Sequence, residues 1–425
     1  MLAFLLIILA SFFLLMLARK LGGSSFSILH IIVAFWVFLT CISIIGTIGL
    51  YSWEYEGVLW LYINLLLFSL AYFIGSKYYV KVYNGDDFQD FRIVKLTRLS
   101  DAFFIELIIL AFVQWIYQVY SFGFNLLSFT SLASLAEMNN SLAVERYSGT
   151  ANLNIIVQIL SIALYASPVC GGFSYPFASG FKRKAISVLS LCPVVLVTLT
   201  QNTKATFIGG LLFFISGIVI GFYCKNHEWP SFSIKKVIIL ILAFSAFIIF
   251  MLISMMLRIG ELSIYTLAVV LQKLVVYAFG NIQSFDIWFS NYSAYESTTY
   301  GAMTFLGISD MLGFATRVQG VYTSLTGTAS NVYTAMRGII TDFGYIGGTV
   351  YLVLQGILLG LAVNTVKHSI KPSISIFFAV SVIFFMFYGF IISPWSYRSF
   401  MSAMVVFFFY LSLAFSRQNV LIQHK

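Results

Sequence analysis

The run KKVIILILAFSAFIIFMLISMMLRIGE, residues 235–261, decides the fold class. Every residue between Lys236 and Arg258 is uncharged, and most are large and apolar. About 20 such residues in a helix cross the roughly 30 Å hydrocarbon core of a bilayer. Basic residues bound the run at both ends, as they do at many membrane surfaces. The run therefore predicts a transmembrane helix.

The rest of the chain has the same character. It has 425 residues, of which 60% are hydrophobic and 9% charged, whereas soluble domains have about a quarter of their residues charged. This composition excludes a soluble enzyme, a DNA-binding module and a secreted disulfide domain. We predict a single transmembrane domain over 1–425, an all-α polytopic membrane protein with about 11–12 transmembrane helices. The predicted spans lie near 1–18, 28–50, 57–75, 102–121, 153–177, 185–203, 205–224, 237–257, 343–364, 373–393 and 399–416.

The basic residues predict the orientation of these spans. With the amino terminus outside and eleven alternating spans, 17 of the 24 Lys and Arg residues lie in cytoplasmic segments. Cytoplasmic loops of membrane proteins are enriched in Lys and Arg, so we predict this orientation, with the carboxyl terminus in the cytoplasm. The net charge of +9 then follows from topology, and we expect no nucleic-acid partner.

Two large segments are predicted on the outer side, 122–152 and 258–342. The second is one large outer loop in the carboxy-terminal half. Its stretch 264–280 is apolar but has Lys273 at its centre, where a cation costs about 2.5–3.5 kcal/mol in a bilayer. We predict an interfacial or re-entrant helix there, with a twelfth span as the alternative. Seven basic residues remain on the outer side: Arg146, Lys204, Arg258, Lys273, Arg317, Arg337 and Arg398.

The end of the large loop has a polar helical pattern. At 100° per residue, Thr334, Arg337 and Thr341 share one helix face, with Asn331 and Asp342 beside it. A polar stripe at the membrane surface suits a charged headgroup. An ordinary interfacial helix with a snorkelling arginine is the alternative interpretation.

Other polar and aromatic residues of the outer segments are candidates for ligand contacts. Arg317 is the one charge in an otherwise uncharged stretch, and arginine binds diphosphates in a bidentate manner. Lys204 lies in a turn between two spans, where simple anchoring at the interface is the alternative. Sugar rings can stack on aromatic side chains, here Trp288, Tyr292, Tyr295 and Tyr300, although an interfacial aromatic belt would have the same composition.

Absent motifs narrow the chemistry. All four histidines, His30, His227, His368 and His424, fall on the predicted cytoplasmic side, so an outer-face reaction has no histidine base. The sequence has no glycine-rich phosphate loop, zinc motif or nucleophile elbow. The pair Glu54 and Glu56 is most simply two solvated carboxylates. We therefore predict no metal and no cofactor.

Short motifs connect this layout with a known family: Thr203-Lys204-Ala205 before a span, Arg258 after a span, Asn331-Val-Tyr-Thr334, and Asp342-Phe-Gly-Tyr-Ile-Gly347. In layout and motifs the chain resembles the O-antigen polymerase family, the Wzy-type oligosaccharide repeat unit polymerases. The resemblance implies a fold like that of lipid-dependent (GT-C-like) glycosyltransferases. It also implies a multi-pass protein of the bacterial cytoplasmic (inner) membrane with a periplasmic active face. The family is often assigned about twelve spans with both termini inside, one more than we count.

The resemblance implies the polymerisation of undecaprenyl-diphosphate-linked oligosaccharide repeats into surface polysaccharide, O-antigen or similar. The partners are this lipid-linked oligosaccharide and membrane lipid, and a chain-length regulator protein is a further candidate. The leaving diphosphate needs cations, and the attacking sugar hydroxyl needs a base that is a carboxylate. The candidates for diphosphate binding are Lys204, Arg258, Arg317 and Arg337. The candidates for the base are Glu261 and Asp342, with Asp310 as a weaker option. Asn331 and Tyr333 are candidates for weak sugar contacts.

The alternative function is a flippase for the same lipid-linked sugars. A transporter is expected to have charged residues within its spans, lining a cavity. Here the spans are nearly free of charge, with Glu106 in the fourth span as the main exception. This distribution favours outer-face chemistry. The related membrane ligases use an outer-face histidine, which this chain lacks.

Overall fold

The structure is a computed structural model. It describes residues 2–24, 26–47, 52–80, 96–125, 131–147, 155–201, 203–230, 234–259, 263–292, 298–316, 323–325, 328–330, 332, 334–369 and 372–415.

The described chain is almost entirely helical. Its helices are α1 (Leu2–Gly22), α2 (Ile28–Thr47), α3 (Glu56–Gly75), α4 (Arg98–Ser121), α5 (Leu132–Tyr147), α6 (Ile155–Ser174), α7 (Gly180–Leu189), α8 (Cys192–Gln201), α9 (Lys204–Asn226), α10 (Ile234–Ile259), α11 (Ile264–Asn291), α12 (Leu306–Met311), α13 (Thr334–His368), α14 (Ser373–Tyr388) and α15 (Arg398–Ala414). Two short strands, β1 (Thr323–Leu325) and β2 (Thr328–Ser330), form an antiparallel pair.

Eight helices of the described chain are long and apolar enough to cross a membrane, which is the pattern of a multi-pass membrane protein. They include the paired helices α7 and α8, which together form one apolar segment, Gly180–Gln201. The remaining three predicted spans contain shorter apolar helices, namely Ile248–Leu257 within α10, α14 and α15. Each of the eleven predicted stretches therefore contains an apolar helix among its described residues.

The helix predicted over 264–280 is longer than we expected. α11 continues to Asn291, because its second half has polar residues that are buried and bonded inside the protein. Two of these are Asn281, whose amide donates to the Phe390 carbonyl (3.2 Å), and Asp286. The helix predicted from hydropathy alone ended at the end of the apolar run.

The helix that contains the span predicted at 343–364 begins earlier than that span, and it is interrupted. α13 begins at Thr334 and has a break at Gly344, whose backbone has φ +69° and ψ −179°. Glycine adopts this positive φ readily because it has no Cβ. The break separates a short helix, 334–343, from the long apolar helix that follows it. Arg337 and Asp342 both lie on the short helix.

The described chain divides into two compact units. The first comprises 1–91, 226–229 and 275–401, and the second comprises 92–225, 230–274 and 402–425. The single transmembrane domain that we predicted from sequence remains a prediction.

Close helix crossings form the core of the first unit. α3 and α13 approach at glycines: a Cβ on Gly356 would lie 2.6 Å from the Phe68 carbonyl oxygen. Small residues at such crossings let helix backbones come into contact within a membrane. Trp36 of α2 is fully buried, and its indole N–H donates to the Met386 carbonyl (3.0 Å).

The second unit is packed in a similar way. α6 and α9 cross where a Cβ on Gly217 would lie 2.6 Å from the Val169 carbonyl oxygen. The hydroxyls of Ser174 and Tyr410 form a buried hydrogen bond of 2.7 Å between α6 and α15. Buried polar pairs of this kind satisfy groups that lipid cannot.

Candidate functional site at the predicted outer side

The predicted site residues are distributed over both units. Arg337 and Asp342 belong to the first unit. Lys204, the first residue of α9, and Arg258, near the end of α10, belong to the second unit. Only the backbone position of Arg258 is described. Glu261, Arg317, Asn331 and Tyr333 lie outside the described residues.

Arg337 lies on an aromatic surface. Its guanidinium carbon is 5.4 Å from the ring centroid of Trp288, within the range of a cation–π interaction. The Trp288 and Tyr292 rings are 4.8 Å apart, and the Tyr345 hydroxyl donates to the Tyr292 carbonyl (3.1 Å). We call Arg337, Trp288, Tyr292 and Tyr345 the Arg337 cluster. It combines a cation with aromatic faces, and Arg337 remains partly exposed.

Asp342 holds a neighbouring segment in place. Its carboxylate is fully buried and accepts hydrogen bonds from the Thr299 hydroxyl and from the backbone N–H groups of Met303 (2.9 Å) and Thr304. The Tyr300 N–H also donates to the Asp342 carbonyl (3.1 Å). Both carboxylate oxygens are therefore engaged in anchoring the segment 299–304. The general-base role of Asp342 stays a prediction, and its contacts favour an anchor.

An Asp342→Asn variant separates these two roles. For an anchor, we expect hydrogen exchange of the 299–304 amides to be faster by about 10- to 100-fold, because losing a charged hydrogen bond costs roughly 1.5–3 kcal/mol. Hydrogen exchange followed by mass spectrometry measures this change. A Thr341→Val variant is the matched control, because the Thr341 hydroxyl donates to the Arg337 carbonyl of its own helix. Unchanged exchange together with complete loss of activity would instead identify Asp342 as the base.

A second buried carboxylate caps a transmembrane helix. Asp286 of α11 accepts the backbone N–H groups of Glu54, Tyr55, Gly57 and Val58, at 2.9, 2.8, 2.9 and 3.3 Å. The first N–H groups of a helix have no partner within the helix and carry a partial positive charge. Asp286 supplies both the hydrogen-bond acceptor and the negative charge for the beginning of α3, which has no side-chain cap of its own.

The cap has electrostatic consequences. Burial raises the pKa of Asp286, against the effect of the four N–H groups, which favour the charged form. Burial, and then the nearby Asp286 carboxylate, raise the pKa of the Tyr55 hydroxyl. Glu54 and Glu56 are held at the ends of this turn with exposed side chains. No group of three or more His, Cys, Asp or Glu that could hold a metal ion occurs among the residues described.

Arg398, one of the seven predicted outer cations, forms an ion pair. Its guanidinium donates to the Asp310 carboxylate at 2.6 Å and to the Gly307 carbonyl at 3.1 Å. These bonds attach α12 to the beginning of α15. Arg398 and Asp310 therefore have a structural function that sequence spacing did not indicate, since 88 residues separate them.

Comparison with family models, with curated proteins and with solved structures gave no match for this chain. Its function is therefore inferred from its own residues.

Proposed function

We propose that this protein joins undecaprenyl-diphosphate-linked oligosaccharide repeats into a surface polysaccharide at the outer face of the bacterial cytoplasmic membrane. The observation that carries the proposal is the Arg337 cluster, a cation packed on aromatic rings. A guanidinium binds the oxygens of a diphosphate, and aromatic faces pack against sugar rings. A lipid-linked sugar contains both a diphosphate and sugar rings.

The reaction needs few groups. A hydroxyl of the acceptor sugar attacks the anomeric carbon of the growing chain, and the bond from that carbon to the diphosphate oxygen breaks. The electron pair leaves with the diphosphate, whose charge Arg337 stabilises. The diphosphate contacts of Lys204, Arg258 and Arg317 stay predictions from sequence. The hydroxyl proton passes to a carboxylate. Glu261 and Asp342 are the two candidates for this carboxylate.

A flippase remains the alternative. Its expected feature is a charged residue lining a cavity between spans. Glu106 of α4 is the main charge within the predicted spans, and its side chain is exposed. This position gives the transport hypothesis no support, so we favour the polymerase.

Deletion of the gene, followed by gel analysis of the surface polysaccharide, distinguishes the two functions. Loss of a polymerase is expected to leave single capped repeats on the cell surface, because transport across the membrane continues. Restoring the gene should restore the ladder of long chains. Loss of all repeats from the outer face, single ones included, would indicate a flippase and contradict the proposal.

A further inference from the structure

The helices α14 and α15 are short for membrane spans. They have 16 and 17 residues, which at 1.5 Å per residue gives about 24 and 26 Å, less than the roughly 30 Å of the hydrocarbon core. Their connection, residues 389–397, lies on the predicted outer side. Helices this short bring the connection to the edge of the hydrocarbon core instead of out into water.

The segment 299–314 is fastened to this connection. The Ser393 hydroxyl donates to the Thr304 carbonyl (2.7 Å), and the Arg398 guanidinium donates to the Gly307 carbonyl. The backbones are in direct contact, since a Cβ on Gly307 would lie 3.0 Å from the Arg398 nitrogen. The segment is therefore held at the same depth as the connection, at the boundary of the acyl chains.

This segment exposes large apolar side chains. Groups of this size are normally buried in protein or in lipid, and a contiguous set of them marks an interaction surface. Their exposed fractions are Tyr300 88%, Phe314 79%, Met311 63%, Leu312 56%, Met303 41% and Ile308 41%.

The apolar segment adjoins the lipid-facing surface of α13. A Cβ on Gly301 would lie 3.6 Å from the Phe343 ring, next to the first turn of the long apolar helix. On that helix Ile346, Val350 and Leu354 form a stripe at every fourth residue, with exposed fractions of 82%, 50% and 57%. The segment and the stripe occupy neighbouring parts of one apolar surface.

We propose that residues 300–314 insert into the outer leaflet of the bilayer, with their apolar side chains among the acyl chains of the phospholipids. The depth of the connection and the continuity with the α13 stripe indicate lipid as the occupant, not a protein. The Arg398–Asp310 ion pair then lies at the headgroup level, where interfacial segments place their charges. This inference does not rest on the polymerase proposal.

Nitroxide labels at Met311→Cys and Phe314→Cys test this placement. The full-length protein is placed in phosphatidylethanolamine and phosphatidylglycerol vesicles, and electron paramagnetic resonance measures collisions of the label with oxygen, which enters lipid, and with a nickel chelate, which stays in water. The unsubstituted protein gives the background from its native cysteines. We expect collisions with oxygen to exceed those with the nickel chelate at both positions, as at a label on Ile346→Cys, which serves as the lipid-facing reference. Collisions with the nickel chelate should exceed those with oxygen at Ser52→Cys, the water-facing reference. Ser52 is an exposed polar position on the predicted outer side.

Two results would overturn the inference. Nickel-chelate access at Met311→Cys and Phe314→Cys equal to that at Ser52→Cys would place the segment in water. Low collision rates with both reagents at the two positions would show that protein, from a second copy or another partner, covers the segment. Either variant alone is sufficient for the test if the other fails to fold.

Discussion

Replacing Arg337 with glutamine is expected to reduce the surface polysaccharide to single repeats. Glutamine can still pack against Trp288, but it removes the positive charge that stabilises the leaving diphosphate. Losing one preorganised contact to a developing charge costs about 3–4 kcal/mol, or roughly 10²–10³ in rate. Gel analysis of surface polysaccharide, in a deletion strain supplied with the variant gene, measures the loss.

Two companion variants make this result specific. Arg337→Lys keeps the charge but not the planar fork, so we expect shortened chains instead of none. Lys20→Gln removes an exposed cation near the predicted cytoplasmic end of α1 and should leave the ladder normal. Immunoblots of membranes confirm equal amounts of each protein. A full ladder from Arg337→Gln would remove Arg337 from the site.

Replacing Asp286 with alanine is expected to lower the free energy of unfolding by about 3–5 kcal/mol, the cost of breaking a buried charged interaction. The four backbone N–H groups at the beginning of α3 would lose their acceptor, and those of Gly57 and Val58 belong to buried residues. Buried N–H groups without a partner bear their full desolvation cost. The melting temperature of the purified protein in detergent measures the effect.

Glu54→Ala is the matched control for this prediction. Its carboxylate is exposed, so we expect a change within about 0.5 kcal/mol. If the Asp286→Ala protein fails to accumulate, Asp286→Asn can be measured, because its amide oxygen still accepts some of the N–H groups. An unchanged melting temperature for both Asp286 variants would show that the cap contributes little.

Helix existence could be predicted from sequence, whereas helix ends could not. Each predicted stretch contains a helix because the requirement for about 20 apolar residues acts on each segment separately. The continuation of α11 to Asn291 depends on buried polar bonds that its residues form with distant segments. The break of α13 at Gly344 likewise depends on how the segment before it packs, and a Gly-rich stretch alone does not identify the position.

The candidate site could be predicted in part. The helical pattern correctly placed Arg337 and Thr341 on one helix, the short helix before the break at Gly344. It did not reveal that Thr334 is buried at the first residue of this helix, with a positive φ of 59°. The pairing of Arg337 with Trp288 and the burial of Asp342 under residues 299–304 arise from contacts between segments far apart in sequence. Asp286 was missed for the same reason, since its partners are the N–H groups of another helix.

The most direct test of the proposed reaction uses the purified protein in vesicles. A lipid-linked repeat unit is supplied on the outer leaflet, and mass spectrometry follows the products. We expect chains of two and more repeats, with one undecaprenyl diphosphate released for each new glycosidic bond. Movement of the intact lipid-linked repeat across the bilayer, with no new glycosidic bond, would contradict the assignment as a polymerase and identify a flippase.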